Sequence, residues 1–354
     1  MKIKSILLWT VCLVASYSCN SGNETQKKEE PLKVAFEQND VKKTIDVLVD
    51  GELFTTFRWH DDLTKPVLLP IRTARGTEVT RGFPVFPKTG ERADHPHQIG
   101  NWLTYGNVNG SDFWGNGSKG LGSLNRNGGS ILLESIDEMS GGDREGKLVT
   151  TASWNDSLGN RLLTENTTYF FLCKDSIRII DRIVVLTAGE IAVSMPDTKE
   201  GMFGIRVARE LELPDQGEGI LYSADGKPER VKEMDNAAIS GDYLSSTGQT
   251  GMDVWGSRAG WMSLWGNIRG ENISVVICDH PENPGYPTWW HARGYGLFAA
   301  NPLGARDFTK GEEEADFNIP AGESITFRYR IVISSGKHLN TEEIENYSRS
   351  FADF

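Results

Sequence analysis

Two histidine-containing segments carry the side chains whose types and spacing could support catalysis. The first contains His95 and His97, separated by one proline, and the second contains His291, followed at two-residue intervals by Arg293 and Tyr295. Because proline disfavours helical backbone in the preceding residue, the first segment is predicted to be extended, with both imidazoles on the same side. Such imidazoles could transfer protons, one orienting the other, or they could bind a metal.

The spacing leaves two other interpretations of these histidines open. Histidines that bond to loop backbone would show the same pattern, so a structural role is one alternative. A divalent metal held by His95, His97 and His291 is the other, although the spacing fixes no third ligand. We find no Walker-type loop, dinucleotide fingerprint, HExxH, paired CxxC or GxSxG pattern. The sequence therefore predicts no nucleotide cofactor, and a divalent metal is the one cofactor left to test.

Aromatic and charged side chains accompany both segments and suggest a polyhydroxylated ligand. A pyranose offers an apolar face for aromatic stacking and a rim of hydroxyl groups for bidentate polar side chains. Each tryptophan could equally be a core residue. The predicted catalytic residues are His95, His97 and His291. The predicted substrate-binding residues are Arg81, Asp112, Trp114, Trp289, Arg293 and Tyr295.

The further charged candidates for the same site are Arg72, Glu78, Asp94, Arg206 and Arg209. Arg206 could instead form a structural ion pair with Glu210 or Glu212. No pair of carboxylates can be nominated from the sequence as the two catalytic groups of a glycosidase.

The elements that would position these residues are almost all strands. Runs rich in Val, Ile, Thr, Phe and Tyr alternate with Gly, Asp, Asn and Pro, and no helical runs alternate with them. This pattern predicts an all-β protein, a large antiparallel β-sandwich with long loops. A short C-terminal helix is predicted from Thr341, as its N-cap, to about Phe351. The strands are predicted at Thr44–Val49, Leu53–Trp59, Ser130–Ser135, Lys147–Trp154, Leu162–Cys173, Ile177–Leu186, Ile273–Cys278 and Ser324–Ser334.

The N-terminus has the features of an export signal. Residues 1–19 join a basic start and a short apolar run to small residues that end at Cys19, which is typical of a bacterial lipoprotein signal. Lipidation of Cys19 would anchor the protein to a membrane without a spanning helix. Residues 20–31 are polar and predict a flexible tether, and residues 32–354 predict a single domain. We therefore expect an exported protein anchored to the cell envelope, with the outer membrane as the favoured location.

The net charge and the cysteines argue against two classes of function, nucleic-acid binding and cysteine-based catalysis. The formal net charge of −12 disfavours nucleic acid as a partner, because binding it depends on Lys and Arg. Cys173 and Cys278 lie in apolar strand-like runs, where two buried thiols are favoured over a disulfide. Neither cysteine fits a catalytic pattern, and the sequence predicts no oligomeric state.

Three motifs in order resemble a known family. The runs from His95 to Trp114, from Glu200 to Ala208 and from Trp290 to Pro302 are similar to the PmoA family, labelled "methane oxygenase PmoA" and common in Bacteroidota and Planctomycetota. The resemblance extends from about Phe54 to Ile333. It implies a super-sandwich like that of sugar mutarotases and polysaccharide lyases. Family members often have HPHH where this chain has His95-Pro96-His97-Gln98. A role that needs a third adjacent imidazole is therefore not implied for this chain.

These observations together predict a cell-envelope lipoprotein that acts on carbohydrate. The leading hypothesis is an enzyme, a hydrolase or lyase, that processes a glycan or modified sugar. A non-catalytic glycan-binding surface lipoprotein is the alternative, in which the tryptophans but not the histidines would be essential. A metal-dependent oxygenase, suggested by the family label, is a remote third hypothesis.

Overall fold

The computed structural model describes residues 30–116 and 127–354, and Leu32–Phe354 form one compact unit. The predicted signal, Cys19 and most of the tether lie outside the described residues. Within those ranges, no helix is both long and apolar enough to cross a membrane.

The unit is built from twenty strands. The first ten are β1 (Lys33–Asn39), β2 (Thr44–Val49), β3 (Glu52–Arg58), β4 (Val67–Ile71), β5 (Asn101–Tyr105), β6 (Ser130–Asp143), β7 (Glu145–Asn155), β8 (Arg161–Lys174), β9 (Ile177–Ala188) and β10 (Val193–Met195). The others are β11 (Gly201–Arg206), β12 (Gly219–Tyr222), β13 (Pro228–Val231), β14 (Asp242–Ser245), β15 (Trp261–Ile268), β16 (Glu271–Asp279), β17 (Trp289–Ala292), β18 (Leu297–Asn301), β19 (Phe317–Ile319) and β20 (Ser324–Ser335).

Short helices complete the chain. Two 3-10 turns span Arg209–Leu211 and Gly251–Val254, and α1 spans Ala305–Phe308. The C-terminal helix α2 spans Thr341–Ala352, as predicted, but its N-cap is Asn340 rather than Thr341. The Asn340 side chain accepts from the Glu343 N–H at 2.9 Å while the Glu343 carboxylate accepts from the Asn340 N–H at 3.0 Å. This reciprocal capping box explains why the N-cap is Asn340, one residue earlier than predicted.

Sixteen strands form one hydrogen-bonded series in the order β14-β15-β16-β20-β9-β8-β7-β6-β1-β2-β3-β4-β5-β11-β18-β17. The series folds over at β1 and β6, which share only two residue pairs, so that its two halves face each other. Phe203 of β11 stacks on Tyr329 of β20 at 4.6 Å, and Phe57 of β3 meets Tyr169 of β8 at 5.7 Å. The predicted antiparallel β-sandwich is confirmed.

The strand interiors explain why the two sheets remain together. Residues such as Ile45, Val47, Leu148 and Val184 are fully buried in one extended apolar core between the sheets. Cys278 is buried as a free thiol, and burial raises its pKa to about 12. Each fully buried large aliphatic side chain contributes about 1.5–3 kcal/mol relative to exposure.

Candidate functional site

The outer face of four neighbouring strands carries the site. Strand pairing aligns Trp102 of β5 with Gly204 of β11, Gly204 with Ala299 of β18, and Ala299 with His291 of β17. Alternate residues of a strand point to opposite faces, so these four side chains form a row away from the core that buries Trp290. The two small residues in the middle of the row leave room for large aromatic rings between Trp102 and His291.

Trp114 fills the space between Trp102 and His291. Its ring packs at 5.4 Å from Trp102 and stacks on His291 at 6.3 Å, with the two planes only 13° apart. A Cβ added to Gly204 would come within 2.8 Å of the Trp102 ring, so the close packing depends on glycine there. Only 2% of Trp114 is exposed, so its ring is covered by protein where the sequence predicted a stacking surface for substrate.

Arg81 holds the loop that carries the first two histidines. Its buried guanidinium donates to the carbonyl oxygens of Arg92, Asp94, His95 and Gln98 at 2.9–3.1 Å. It also donates to the Asp94 carboxylate at 2.8 Å. Because these acceptors occupy the guanidinium, Arg81 shapes the loop, whereas the sequence predicted that it contacts substrate.

His95 and Asp94 form a dyad. Nδ1 of His95 lies 3.3 Å from Oδ2 of Asp94, and the imidazole stacks on Tyr295 at 4.9 Å with an interplanar angle of 4°. Oδ1 of Asp94 accepts from Arg81 and, at 2.7 Å, from the fully buried Arg206. Arg206 therefore pairs with Asp94 rather than with Glu210 or Glu212. Burial raises the pKa of Asp94, but Arg206, the His95 hydrogen bond and Arg81 outweigh it and keep the carboxylate ionised.

The backbone at His95 differs from the extended prediction. His95 has φ = 42°, in the left-handed region that few residues other than glycine adopt, and its carbonyl accepts from the Gln98 N–H in a turn. The carbonyl contacts of Arg81 hold this strained turn against the preference imposed by Pro96. The ring centroids of His95 and His97 are nevertheless only 5.7 Å apart.

His97 and His291 are buried imidazoles that stay neutral near pH 7. Burial, reinforced by Lys65 and neighbouring cations, lowers the pKa of His97 to about 3. Burial also lowers the pKa of His291 to about 4, although a bond between its Nδ1 and the Lys199 carbonyl opposes this. Neutral imidazoles can accept or donate a hydrogen bond, which suits the hydroxyl groups of a ligand.

Lys65 is a site residue that the sequence analysis missed. Its side chain is 2% exposed, and its Nζ donates to the Asn116 carbonyl at 3.0 Å and lies 5.6 Å from the centre of the Trp102 ring. Burial lowers its pKa to about 7, despite the opposing charge of Asp112. The one feature of the sequence that could have drawn attention to Lys65 is its position just before β4, a strongly apolar strand.

Glu200 is a second residue that was not nominated, although it belongs to one of the three motifs. Burial raises the pKa of its carboxyl group, with Asp112 and Asp307 adding to the effect and Lys199 and His95 opposing it. A carboxyl group that keeps its proton to higher pH is suited to proton donation. Its electrostatic interaction with His95 places a potential acid near a potential base.

The structure brings the remaining predicted residues to the same side of the sheet. Tyr295 links the two segments, because it stacks on His95 and lies 5.7 Å from the Arg293 guanidinium. Trp289 is half-buried beside Phe308, on the same strand as His291. Asp112 accepts from the Gly115 N–H at 2.8 Å, in the long glycine-rich loop that connects β5 and β6. Part of that loop, residues 117–126, lies outside the described residues.

We next consider possible metal ligands and the position of the main cavity relative to the site residues. Across residues 30–116 and 127–354, no group of three His, Cys, Asp or Glu side chains is arranged to hold a metal. The metal-binding role of His95, His97 and His291 therefore stays a prediction. A cavity of about 600 Å³ is lined by residues such as Lys88, Arg209 and Arg269, and it includes none of the predicted site residues. The site instead lies on the face of β5, β11, β18 and β17 that is turned away from the main core.

Comparison with known families identifies the chain's family. A family model matches residues 44–349, so the chain belongs to the family of unknown function DUF6807. The resemblance to the PmoA family is therefore wrong. The three motifs that suggested it form β5, β11, β17 and β18 with their connecting loops, so they describe the local architecture of one sheet. The oxygenase hypothesis loses its basis with that label.

No curated protein matches the chain, but solved structures share its fold. An α-galactosidase from Geobacillus stearothermophilus is 12% identical with a TM-score of 0.39, over 86% of this chain and 41% of its own length. A galactose mutarotase related enzyme from Lactobacillus acidophilus is 10% identical with a TM-score of 0.27, over 88% of this chain and 99% of its own. The chain thus spans less than half of the galactosidase.

Proposed function

We propose that the protein is a carbohydrate-processing enzyme in which His95 transfers the proton. The observation that carries this proposal is the Asp94–His95 dyad. An ionised carboxylate, fixed by two buried arginines, faces one nitrogen of a partly exposed imidazole. With Nδ1 donating to Asp94, Nε2 is left with the lone pair that a general base requires.

The neighbours of the dyad supply the other parts of an acid-base site. Glu200, with its raised pKa, is our candidate for the proton donor. The neutral His97 and His291 are suited to hydrogen bonds with sugar hydroxyl groups.

The experiment is a product-release assay on a panel of polysaccharides and oligosaccharides, using the protein from about Glu30 onwards. We expect one substrate class to be converted by the wild type and not by His95→Gln, because Gln cannot transfer the proton. His338→Gln is the matched control, since that exposed histidine bonds only to the Gly266 carbonyl and packs on Trp265. A parallel series with a chelator tests the predicted metal.

Equal conversion by His95→Gln and the wild type would rule out the dyad mechanism. Binding of a glycan without any conversion would favour the alternative, a non-catalytic glycan-binding protein. Absence of both binding and conversion across the panel would exclude carbohydrate as the ligand class.

We also propose that the protein is lipid-anchored to the cell envelope through Cys19. The support is the sequence of residues 1–19, with its basic start, apolar run and terminal cysteine. Expressed in a bacterial host fed radiolabelled palmitate, the full chain is expected to take up label and to sediment with membranes. Cys19→Ser is expected to take up none, and labelling of that variant would contradict the assignment.

A further inference from the structure

Arg293 is exceptional among the arginines that the structure describes. Buried or half-buried arginines elsewhere in residues 30–116 and 127–354 each have a hydrogen-bond acceptor or a carboxylate partner, as Arg206 has Asp94 and Arg330 has Asp181. The half-buried Arg293 guanidinium has neither within those ranges. None of its nitrogens is fully buried, so its N–H donors remain accessible and available to an acceptor on a ligand.

The surroundings of Arg293 fix the guanidinium without neutralising it. Its central carbon lies 5.6 Å from the Trp255 ring centre and 5.7 Å from that of Tyr295, so aromatic rings position the cation. The Trp255 indole N–H is buried and likewise has no acceptor in the described part of the chain. The Arg293 guanidinium, held by aromatic rings and without a protein acceptor, is therefore placed to bind a ligand that carries oxygen acceptors.

Arg293 also lies close to the proposed proton-transfer group. The His95 imidazole and the Arg293 guanidinium are 4.9 Å and 5.7 Å from the centre of the same Tyr295 ring. The two groups are therefore at most 10.6 Å apart, a distance that a sugar ring with an anionic substituent, or two linked sugar rings, can span. The whole chain carries a net charge of −12, so an unpaired cation here is not part of a general basic surface.

We infer that the substrate is an acidic sugar, whose oxyanion is bound by Arg293 while His95 faces the sugar ring. This inference rests on the proposed function and specifies its substrate class. A guanidinium presents a planar fork of N–H donors that matches a carboxylate or a sulfate in a bidentate arrangement. Both a uronic acid and a sulfated sugar supply this chemistry, and the experiment separates them.

The test compares uronate-containing, sulfated and neutral oligosaccharides of matched length as ligands and as substrates. We expect the wild type to prefer one acidic set, and Arg293→Gln to lose roughly 10- to 100-fold in affinity or kcat/KM for that set alone. Arg293→Lys should recover only part of the loss, because it keeps the charge but not the fork. Arg58→Gln is the matched control, since Arg58 also lies over an aromatic ring, that of Phe86.

Preference for the uronate or the sulfated set, removed by Arg293→Gln, would support the inference and identify the anion. Equal use of neutral and acidic sugars, or an unchanged preference in Arg293→Gln, would overturn it while the proposed function stands. If no oligosaccharide of any set is bound or converted, the proposed function fails as well.

Discussion

Asp94→Asn is expected to lower kcat on the identified substrate by roughly 10²- to 10⁴-fold. In the wild type, Oδ1 of Asp94 accepts from Arg81 and Arg206 while Oδ2 faces Nδ1 of His95. In the variant, the amide oxygen must take the position between the two arginines, because only an oxygen can accept from both. The amide NH₂ then faces Nδ1 and moves the imidazole proton to Nε2. His95 would keep its position but lose the lone pair that accepts the proton.

The effect should fall on kcat, with KM within a few-fold of the wild-type value, because the substrate-facing groups are unchanged. Glu78→Gln is the matched control, since the Glu78 carboxylate also pairs with two cations, Arg72 and Lys88, but has no imidazole beside it. Thermal unfolding of each variant separates loss of catalysis from loss of folding. A kcat for Asp94→Asn within threefold of the wild type would refute the role of the dyad.

Lys65→Met is expected to remove a pH dependence of stability that the wild type shows above neutral pH. Burial lowers the pKa of Lys65 from 10.5 to about 7 in the folded protein. Between these values the unfolded chain holds a proton that the folded protein has released, so the free energy of unfolding rises with pH. Relative to Lys65→Met, the wild type should gain ~3–4 kcal/mol between pH 7 and pH 10, at 1.36 kcal/mol per pKa unit.

Urea unfolding of both proteins at pH 7, 8, 9 and 10 measures this difference. Other groups that titrate in that range, such as the Cys278 thiol, are common to both proteins and cancel. Met also removes the donor to the Asn116 carbonyl, which lowers stability by the same amount at every pH and leaves the slope unaffected. The exposed Lys227→Met is the matched control, and a wild-type slope equal to that of Lys65→Met would show that Lys65 does not titrate in this range.

The strands could be predicted from the sequence because their residue pattern is local. Thr44–Val49 was predicted with the bounds that β2 has in the structure, and Ile177–Leu186 lies within β9. Short strands such as β4 and β11 were not predicted as strands. Their residues are buried throughout, so they lack the alternation of apolar and polar residues that marks a half-exposed strand.

The sequence could indicate which residue types would be grouped at the candidate site, but not which role each residue has there. The spacing grouped His95 and His97, and it singled out Arg81, but the carbonyl acceptors of Arg81 are invisible in the sequence. Lys65 was missed because its chemistry arises from burial beneath Trp102 and Trp114, which depends on contacts across about 40–50 residues of chain. Tertiary contacts of this kind determine the role of each site residue, whereas the local sequence pattern shows only which residue types are present near the site.

The row of strands that carries the site has a consequence for the order of folding. His95 and Tyr295, which stack on each other, are separated by 200 positions in the chain. Closing loops of that length is entropically costly and slow, so this stack is expected to form among the last contacts. A nascent chain that has not yet added β17 and β18 already contains Asp94 and His95 but lacks Tyr295 and His291. The proposed site can therefore be complete only once nearly the whole chain has been synthesised.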